Sequence, residues 1–203
     1  EALQRAGVPA ANIVIIPNGV VPVEEKRRWR RRAVRRFLYL GRLSRNSQRD
    51  VPTLVRAFDT LAAQVPDVEL ALVGGGDLLF ETRNLVATCS HADRIQVPGT
   101  GDAQSWLAWA DCFVLPSRRE GLSNALLEAM AMGLPCIAND IPPNREVLAD
   151  GEAGILVPVG AVEALRSSML HVVERPDVAV QVANAAARRI DECYSLPSIA
   201  ERV

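Results

Sequence analysis

The chain has 203 residues, of which 49% are apolar, and its formal net charge is −1. This length allows one sizeable α/β domain or two small ones. No stretch approaches the ~20 consecutive apolar residues of a membrane-spanning helix, and the first residues lack the basic start and apolar core of a signal peptide. The four cysteines have no paired spacing, so we expect reduced thiols in a cytoplasmic protein. We expect no metal site, because His91 and His171 have no acidic or thiol partner at ligand spacing.

Charge is distributed unevenly along the chain. Residues 26–36 read KRRWRRRAVRR and hold eight of the 23 basic side chains, which leaves 15 against 24 acidic ones elsewhere. Two interpretations stay open: peripheral contact with anionic lipid on the inner face of a membrane, or a solvated surface. Nucleic acid is disfavoured as a partner, because Trp29 is the one interleaved aromatic residue and no nucleic-acid-binding motif accompanies the run.

Short apolar runs alternate with helical patterns along the whole chain. In chain order we predict strands (E) and helices (H) at E 12–16, E 37–40, H 53–65, E 69–73, H 78–89, E 94–97, H 103–110, E 112–115, H 123–132, E 135–138, H 145–149, E 154–157, H 162–174 and H 178–192. Several strands are apolar throughout, which is typical of a parallel sheet covered on both faces. The pattern predicts a doubly wound, Rossmann-like α/β domain, with ligands at the carboxyl ends of its strands.

The helix predicted at residues 123–132 carries the strongest chemical signal. Ser123 is suited to cap its start and Gly133 to end it, and nearly every residue between them is apolar. Glu128 is the exception, and a buried carboxylate is costly unless it is hydrogen-bonded or protonated. Glu128 could pair with an arginine or a backbone amide inside the protein. Alternatively, it could bind a ligand.

A ligand at this helix would meet two groups on one face. The free N–H groups near residues 123–125, with the positive end of the helix dipole, suit a diphosphate. Glu128 follows Asn124 by four residues, so it lies on the same face about 6 Å further along the axis. A nucleoside diphosphate on that face would place its ribose near Glu128. Its sugar would point toward Glu120 and Gly121, where glycine lets the backbone approach closely.

The segment EGLSNALLEAMAMGLP, in which seven residues separate Glu120 from Glu128, resembles the paired-glutamate motif of retaining GT-B glycosyltransferases. It is most similar to the large family four, which includes bacterial mannosyl-, glucosyl- and galactosyltransferases. Other family segments occur in order: PNGV at 17–20, GRLS at 41–44, VGGGD at 73–77, DCFVLPS at 111–117 and NREVLADGEAGILVP at 144–158. Each short motif is weak alone, but the ordered set covers nearly the whole chain. The resemblance implies the C-terminal, donor-binding half of a GT-B enzyme.

The resemblance assigns two basic residues to the donor diphosphate. Arg42, in the GRL motif, would contact it, and Arg42 and Glu120 are the candidate catalytic residues. Where the family has Lys-Gly, this chain has Arg49 and Asp50 in a segment that is two residues longer. Arg49 can supply the charge, with a geometry suited to phosphate. The longer segment leaves the choice between Arg45 and Arg49 open.

The other implied donor contacts follow the paired-glutamate motif. Glu120 would contact hydroxyls of the transferred sugar, and Glu128 would hold the ribose. Backbone N–H groups would bind the phosphates, and they belong to Gly121, Leu122, Ser123 and Asn124. The base would lie against the loop at 97–99, around Pro98. The implied substrate is a UDP- or GDP-linked sugar, with no cofactor and no metal, because fixed positive charge stabilises the leaving diphosphate.

The resemblance also implies a domain organisation. Residues 1–20 would form an interdomain linker and first strand, 21–190 the nucleotide-sugar-binding domain, and 191–203 the start of a truncated crossover helix. The chain does not begin with methionine, and we expect an N-terminal acceptor domain to be missing from it. The acceptor would be a glycan or a lipid-linked saccharide.

Three other functions are compatible with parts of the sequence. A nucleotide-sugar epimerase can share the GT-B architecture, and a non-catalytic nucleotide-sugar-binding domain could have lost transfer. The presence of Arg42, Glu120 and Glu128 argues against the second without excluding it. Dinucleotide binding depends on VGGGD alone and is disfavoured, because the Gly-x-Gly-x-x-Gly spacing and the acidic residue after the next strand are both absent.

On this interpretation, the chain alone binds donor weakly and transfers no sugar, because the acceptor domain is missing. Incubation of the purified chain with a radiolabelled UDP- or GDP-sugar and candidate acceptors would measure this. Robust transfer by the 203-residue chain would contradict the predicted division into donor and acceptor halves.

Overall fold

A computed structural model describes residues 5, 7–13, 16–21 and 33–201 of the chain. Within these ranges, Ala10–Asn12 forms a single 3-10 turn and Ile13 is extended. The strand predicted at 12–16 is not observed at Asn12, Ile13 or Ile16, and its residues 14–15 lie outside the described residues. Most of the basic run, through residue 32, also lies outside them.

Six strands form one parallel sheet. They are β1 Arg36–Leu40, β2 Glu69–Val73, β3 Ile95–Gly99, β4 Cys112–Leu115, β5 Cys136–Asn139 and β6 Ile155–Val157. Their order across the sheet is β3-β2-β1-β4-β5-β6, and every neighbouring pair is parallel. The predicted doubly wound α/β fold is confirmed. The strand order reverses between β1 and β4, which is where such sheets bind ligands.

Helices cover both faces of the sheet. They are α1 Val51–Gln64, α2 Leu79–Ala87, α3 Ala103–Trp109, α4 Asn124–Ala131, α5 Pro142–Val147, α6 Val162–Glu174, α7 Pro176–Arg189 and α8 Leu196–Ala200. Successive strand residues point to opposite faces, so Phe37 and Tyr39 pack under α1 and α6 while Leu38 packs under α4. No helix within the described ranges has both the length and the apolarity to cross a bilayer.

Two helix boundaries lie three residues from their predicted positions, a larger difference than at any other described helix end. The helix predicted at 145–149 is α5, which begins at Pro142, because proline needs no N–H partner in the first turn. The helix predicted at 178–192 is α7, which ends at Arg189 and continues as a π-helical turn, Ile190–Tyr194.

The end of the basic run is part of the fold. The buried carboxylate of Asp111 accepts hydrogen bonds from the backbone N–H groups of Arg35 (3.2 Å) and Arg36 (3.0 Å). It also forms an ion pair with the Arg36 guanidinium at 3.2 Å. That guanidinium lies 5.5 Å from the centroid of the Trp109 ring. Arg36 therefore helps to join the starts of β1 and β4, and it is not only a solvated charge.

The glycine triplet after β2 lets two loops pack backbone against backbone. The N–H of Gly41 donates to the carbonyl of Val73 (3.0 Å), and the N–H of Leu43 donates to that of Gly75 (2.9 Å). A Cβ atom on Gly74 would overlap the carbonyl oxygen of Gly41. The VGGGD motif therefore brings the loops after β1 and β2 together, a role that requires no dinucleotide.

Gly74→Ala should lower the free energy of unfolding by about 2 kcal/mol, because the added methyl group forces the two loops apart. The matched control is Gly121→Ala, since no heavy atom lies within 4 Å of a Cβ built there. Guanidinium denaturation of both variants measures the difference. Equal stability of the two variants would contradict the close packing of these loops.

Candidate functional site

An open cleft lies at the carboxyl end of the sheet, beside the reversal of strand order. Its floor is largely backbone, from Gly41 after β1, from Gly74 and Gly75 after β2, and from Gly101 after β3. Arg42 stands at one side and α4 forms the other. Because glycines form so much of the floor, a ligand can approach the main chain closely.

Helix α4 presents its first turn to this cleft. The Ser123 hydroxyl accepts a hydrogen bond from the N–H of Leu126 (3.4 Å) and caps the helix, as predicted. Gly133, with a φ of 70°, follows the last turn, also as predicted. Asn124 and Ala125 line the cleft, and the N–H groups of a first turn have no carbonyl partner within the helix. These N–H groups and the helix dipole make the N-terminal start of α4 attractive to an anion.

Glu128 also lines the cleft, one turn further along α4. Its side chain is partly buried, and burial raises the pKa of its carboxyl above the usual value. Among the described residues, no hydrogen bond or ion pair to this carboxylate is found. Pairing with an internal arginine is therefore not observed within that part of the chain. A partly buried acceptor that faces open space is suited to a ligand with hydroxyl groups.

A second opening meets Glu128 from the other side. It lies between α4 and the N-terminal segment, and is lined in part by Gly19, Val20, Gln104 and Met132. Glu128 therefore borders both this opening and the cleft.

The N-terminal turn PNGV reaches the start of α4. The side-chain amide of Asn18 donates to the side-chain carbonyl of Asn124 at 2.9 Å. Val20 is fixed to the C-terminal segment by hydrogen bonds with Tyr194 (2.9 Å) and Leu196 (3.0 Å). Asn18 is a site residue that sequence reasoning missed, although its motif was noted, because a contact across 106 residues leaves no local pattern.

Arg42 is the one cationic side chain that lines the cleft among the described residues. Its side chain is exposed, whereas its backbone is held firmly. The Arg42 carbonyl accepts hydrogen bonds from the hydroxyls of Tyr39 (2.8 Å) and Ser47 (3.2 Å). Burial raises the pKa of Tyr39, so its hydroxyl stays a neutral donor. The cleft thus has an exposed cation whose backbone carbonyl is held by two hydrogen bonds.

The two arginines between which the sequence did not choose lie in different places. Arg45 is exposed and pairs with Glu81 at 2.9 Å on the surface. Arg49 forms a bidentate ion pair with Glu120, and it also donates to the Ser117 hydroxyl. Neither arginine lines the cleft that contains Arg42 and Glu128. Glu120 is likewise outside the set of residues that line it.

The remaining predicted residues surround the cleft. Gly121 is exposed in the loop before α4, and Leu122 is partly buried against the core. Pro98 is exposed on β3, whereas Thr100 and Gly101 line the cleft. Sequence reasoning missed Thr100 and Gly101 because it ended the strand at Val97, two residues before its observed end at Gly99.

Acidic, thiol and histidine side chains are dispersed. No group of three or more of them is placed to hold a metal ion among the described residues. His91 lies away from the cleft, with its Nδ1 3.0 Å from a carboxylate oxygen of Asp59.

Solved structures share the fold of this chain. A Staphylococcus aureus TarM mutant, solved with UDP and sugar ligands, is 20% identical, with a TM-score of 0.86 over 98% of this chain and 40% of that one. Anabaena HepE, solved with UDP, is 19% identical, with a TM-score of 0.82 over 99% of this chain and 58% of that one. At these identities the likeness defines the fold.

The sequence defines the family. Residues 34–175 match the family described as "Glycosyl transferases group 1". The chain belongs to this family, which confirms the resemblance at that level. It is 26% identical over 194 residues to an uncharacterized glycosyltransferase of Haemophilus influenzae, across 94% of this chain and 53% of that one. It is 29% identical over 157 residues to a phosphatidyl-myo-inositol mannosyltransferase of Mycolicibacterium smegmatis, across 77% of this chain and 40% of that one. The chain thus spans about half the length of these relatives, or less.

Glu128→Gln should make the folded chain more stable at pH 7. Because burial raises the carboxyl pKa above its ordinary value of 4.5, the ionised side chain opposes folding. That cost is absent below about pH 4, grows as the pH rises through the raised pKa, and is fully present at neutral pH. Urea denaturation across this range should therefore show an advantage of Glu128→Gln that shrinks toward acid.

The matched control is Glu174→Gln, on an exposed position of α6. Its stability should follow that of the unmodified chain at every pH. A Glu128→Gln variant that is less stable at pH 7, or whose difference does not depend on pH, would contradict the proposed environment of Glu128.

Proposed function

We propose that this chain is the donor-binding part of a glycosyltransferase that uses a nucleoside-diphosphate sugar, UDP- or GDP-linked, and retains the anomeric configuration. The observation that carries the proposal is the Glu128 carboxylate. It is partly buried, faces a cleft, and has no partner among the described residues. Beside it are the first-turn amides of α4, and across the cleft is Arg42.

The diphosphate would lie between Arg42 and the start of α4. Both supply positive charge that is fixed before the ligand arrives, and the cleft contains few competing side chains. As the sugar departs, negative charge grows on the diphosphate, and these groups stabilise it in the transition state. Because the protein supplies this charge, we propose that donor binding requires no metal.

The nucleoside and the sugar would extend in opposite directions from the diphosphate. Glu128 would accept hydrogen bonds from the ribose hydroxyls, which replace the water that burial removes. The sugar would extend toward the loop that contains Glu120 and Gly121, directly before α4. Support for this ligand class comes from the TarM and HepE structures, whose complexes contain UDP.

The acceptor would be a glycan or a lipid-linked saccharide, bound mainly by a partner domain. Relatives in the family include phosphatidyl-myo-inositol mannosyltransferases, whose name contains a lipid. This chain covers 40–43% of those mannosyltransferases. We therefore propose that sugar transfer also requires an acceptor-binding domain.

A thermal-shift screen of the chain against UDP-, GDP- and ADP-sugars should find one class that raises the unfolding temperature. A ligand that binds only the folded state at 100 times its dissociation constant stabilises it by about 2.7 kcal/mol. Glu128→Ala should reduce this shift markedly, because the ribose contact is lost, and EDTA should leave it unchanged. Glu174→Ala, at an exposed position, is the control and should keep the full shift.

Two outcomes of this screen would count against the proposal. A Glu128→Ala variant that keeps the whole shift would show that the carboxylate does not hold the donor. The absence of a shift with every nucleotide sugar would reject donor binding by the chain.

A further inference from the structure

Both oxygens of the Glu120 carboxylate are held by neighbouring side chains. The two terminal nitrogens of Arg49 donate to its two oxygens, which is the bidentate arrangement typical of arginine and carboxylate. The Ser117 hydroxyl donates to one of these oxygens at 2.9 Å. Arg49 also donates to the Ser117 hydroxyl. The three side chains thus form a closed group in which each orients the others.

This group is largely removed from solvent. The side chains of Arg49 and Glu120 are 14% and 11% exposed, and Ser117 is fully buried. Removing one partner of a buried ion pair leaves an uncompensated charge, which is strongly unfavourable. A phosphate that bound both terminal nitrogens of Arg49 would compete with Glu120 for them. The pair therefore opposes a role for Arg49 as a phosphate ligand.

Backbone hydrogen bonds build the group into the fold. Arg49 and Ser117 form an isolated antiparallel bridge between the loops after β1 and β4. On either side of it, the N–H of Asp50 donates to the carbonyl of Pro116 (2.5 Å), and the N–H of Arg118 donates to that of Gln48 (2.9 Å). The backbone hydrogen bonds between the two loops thus fix how far Arg49 lies from Glu120, independently of the side-chain conformations.

Arg49 is also outside the set of residues that line the cleft. It borders a separate, mostly apolar depression between α1 and α2, lined in part by Val51, Pro52 and Leu85. Arg42 borders both openings, so it can reach the cleft from the same loop. Arg42 is thus available to bind the diphosphate, whereas Arg49 is already paired with the Glu120 carboxylate.

We propose that Arg49 and Ser117 are positioning residues: they hold Glu120 for the donor sugar, and Arg49 does not contact the diphosphate. This inference rests on the proposed function, since Glu120 is there assigned to the sugar. It departs from the assignment of Arg49 to phosphate that the sequence resemblance implies. In this chain the basic residue before Asp50 is paired with Glu120.

Two roles are possible for Arg49, contact with the diphosphate or positioning of Glu120. A comparison of nucleotide binding with nucleotide-sugar binding distinguishes them. We would measure the affinities of UDP and UDP-glucose, or of GDP and GDP-mannose if the chain prefers guanine, by calorimetric titration. The informative variant is Arg49→Gln with Glu120→Gln, because removing both charges leaves no unpaired carboxylate to repel the phosphates. The reference variants are Glu120→Gln, and Arg42→Gln at the proposed phosphate contact.

The double variant should bind UDP as the unmodified chain does, whereas Arg42→Gln should bind it roughly tenfold more weakly. For UDP-glucose, Glu120→Gln should lose roughly tenfold and the double variant no more than that. A double variant that loses UDP as Arg42→Gln does would overturn the proposal, because Arg49 would then be a phosphate ligand. If the unmodified chain binds neither nucleotide nor nucleotide sugar, the proposed function itself is wrong, and this inference falls with it.

Ser117→Ala gives a second test that does not depend on the double variant folding. It should weaken UDP-glucose but not UDP, and the loss should vanish when Glu120→Gln is already present, because contacting residues are not additive. Circular dichroism and unliganded unfolding temperatures establish that each variant is folded. Equal losses of UDP-glucose from Ser117→Ala with and without Glu120→Gln would overturn the positioning role.

Discussion

The site depends on one energetically unfavourable feature, the Glu128 carboxylate on a helix that is apolar at every other position after Asn124. The neighbours of Glu128 on α4 are buried, so the helix cannot rotate to give the carboxylate to water without exposing the core. The described residues give it no hydrogen-bond donor, and its pKa is raised by the burial that results. A polar group kept at such a cost is common where function opposes stability. On the proposed function, Arg42 and the amides of α4 complete a site for the diphosphate and the ribose.

The sheet supplies the space for this ligand. Parallel strands bring the loops after β1, β2 and β3 to one edge, and glycines remove the side chains that would fill it. The same glycines let the loops after β1 and β2 hydrogen-bond to each other. Hydrogen-bonded backbone therefore surrounds the cleft, and the polar side chains that line it include Arg42, Asn124 and Glu128. A second group of charged side chains, Arg49 and Glu120, joins the loops after β1 and β4 and is outside the set of residues that line this cleft.

Local patterns in the sequence predicted what local physics controls. The apolar alternation gave the parallel sheet, and Ser123 with Gly133 gave the ends of α4, because capping acts within a few residues. The charge of Arg49 was recognised, but not its partner, since Glu120 is 71 residues away and meets it through loop geometry. The Asn18–Asn124 contact was missed for the same reason. The end of β3 was misplaced because Pro98 interrupts the apolar run, although the strand continues to Gly99 as far as the sheet pairs it.

The central claim, that Glu128 holds the ribose of a sugar nucleotide, is tested most directly by removing the hydroxyls from the ligand. Calorimetric titration would compare UDP with 2′,3′-dideoxy-UDP, or the guanine pair, on the unmodified chain and on Glu128→Gln. The unmodified chain should prefer the ribose form by roughly tenfold or more, and the variant should lose that preference while it still binds the diphosphate. Equal preference in both proteins would mean that the hydroxyls are recognised elsewhere or not at all.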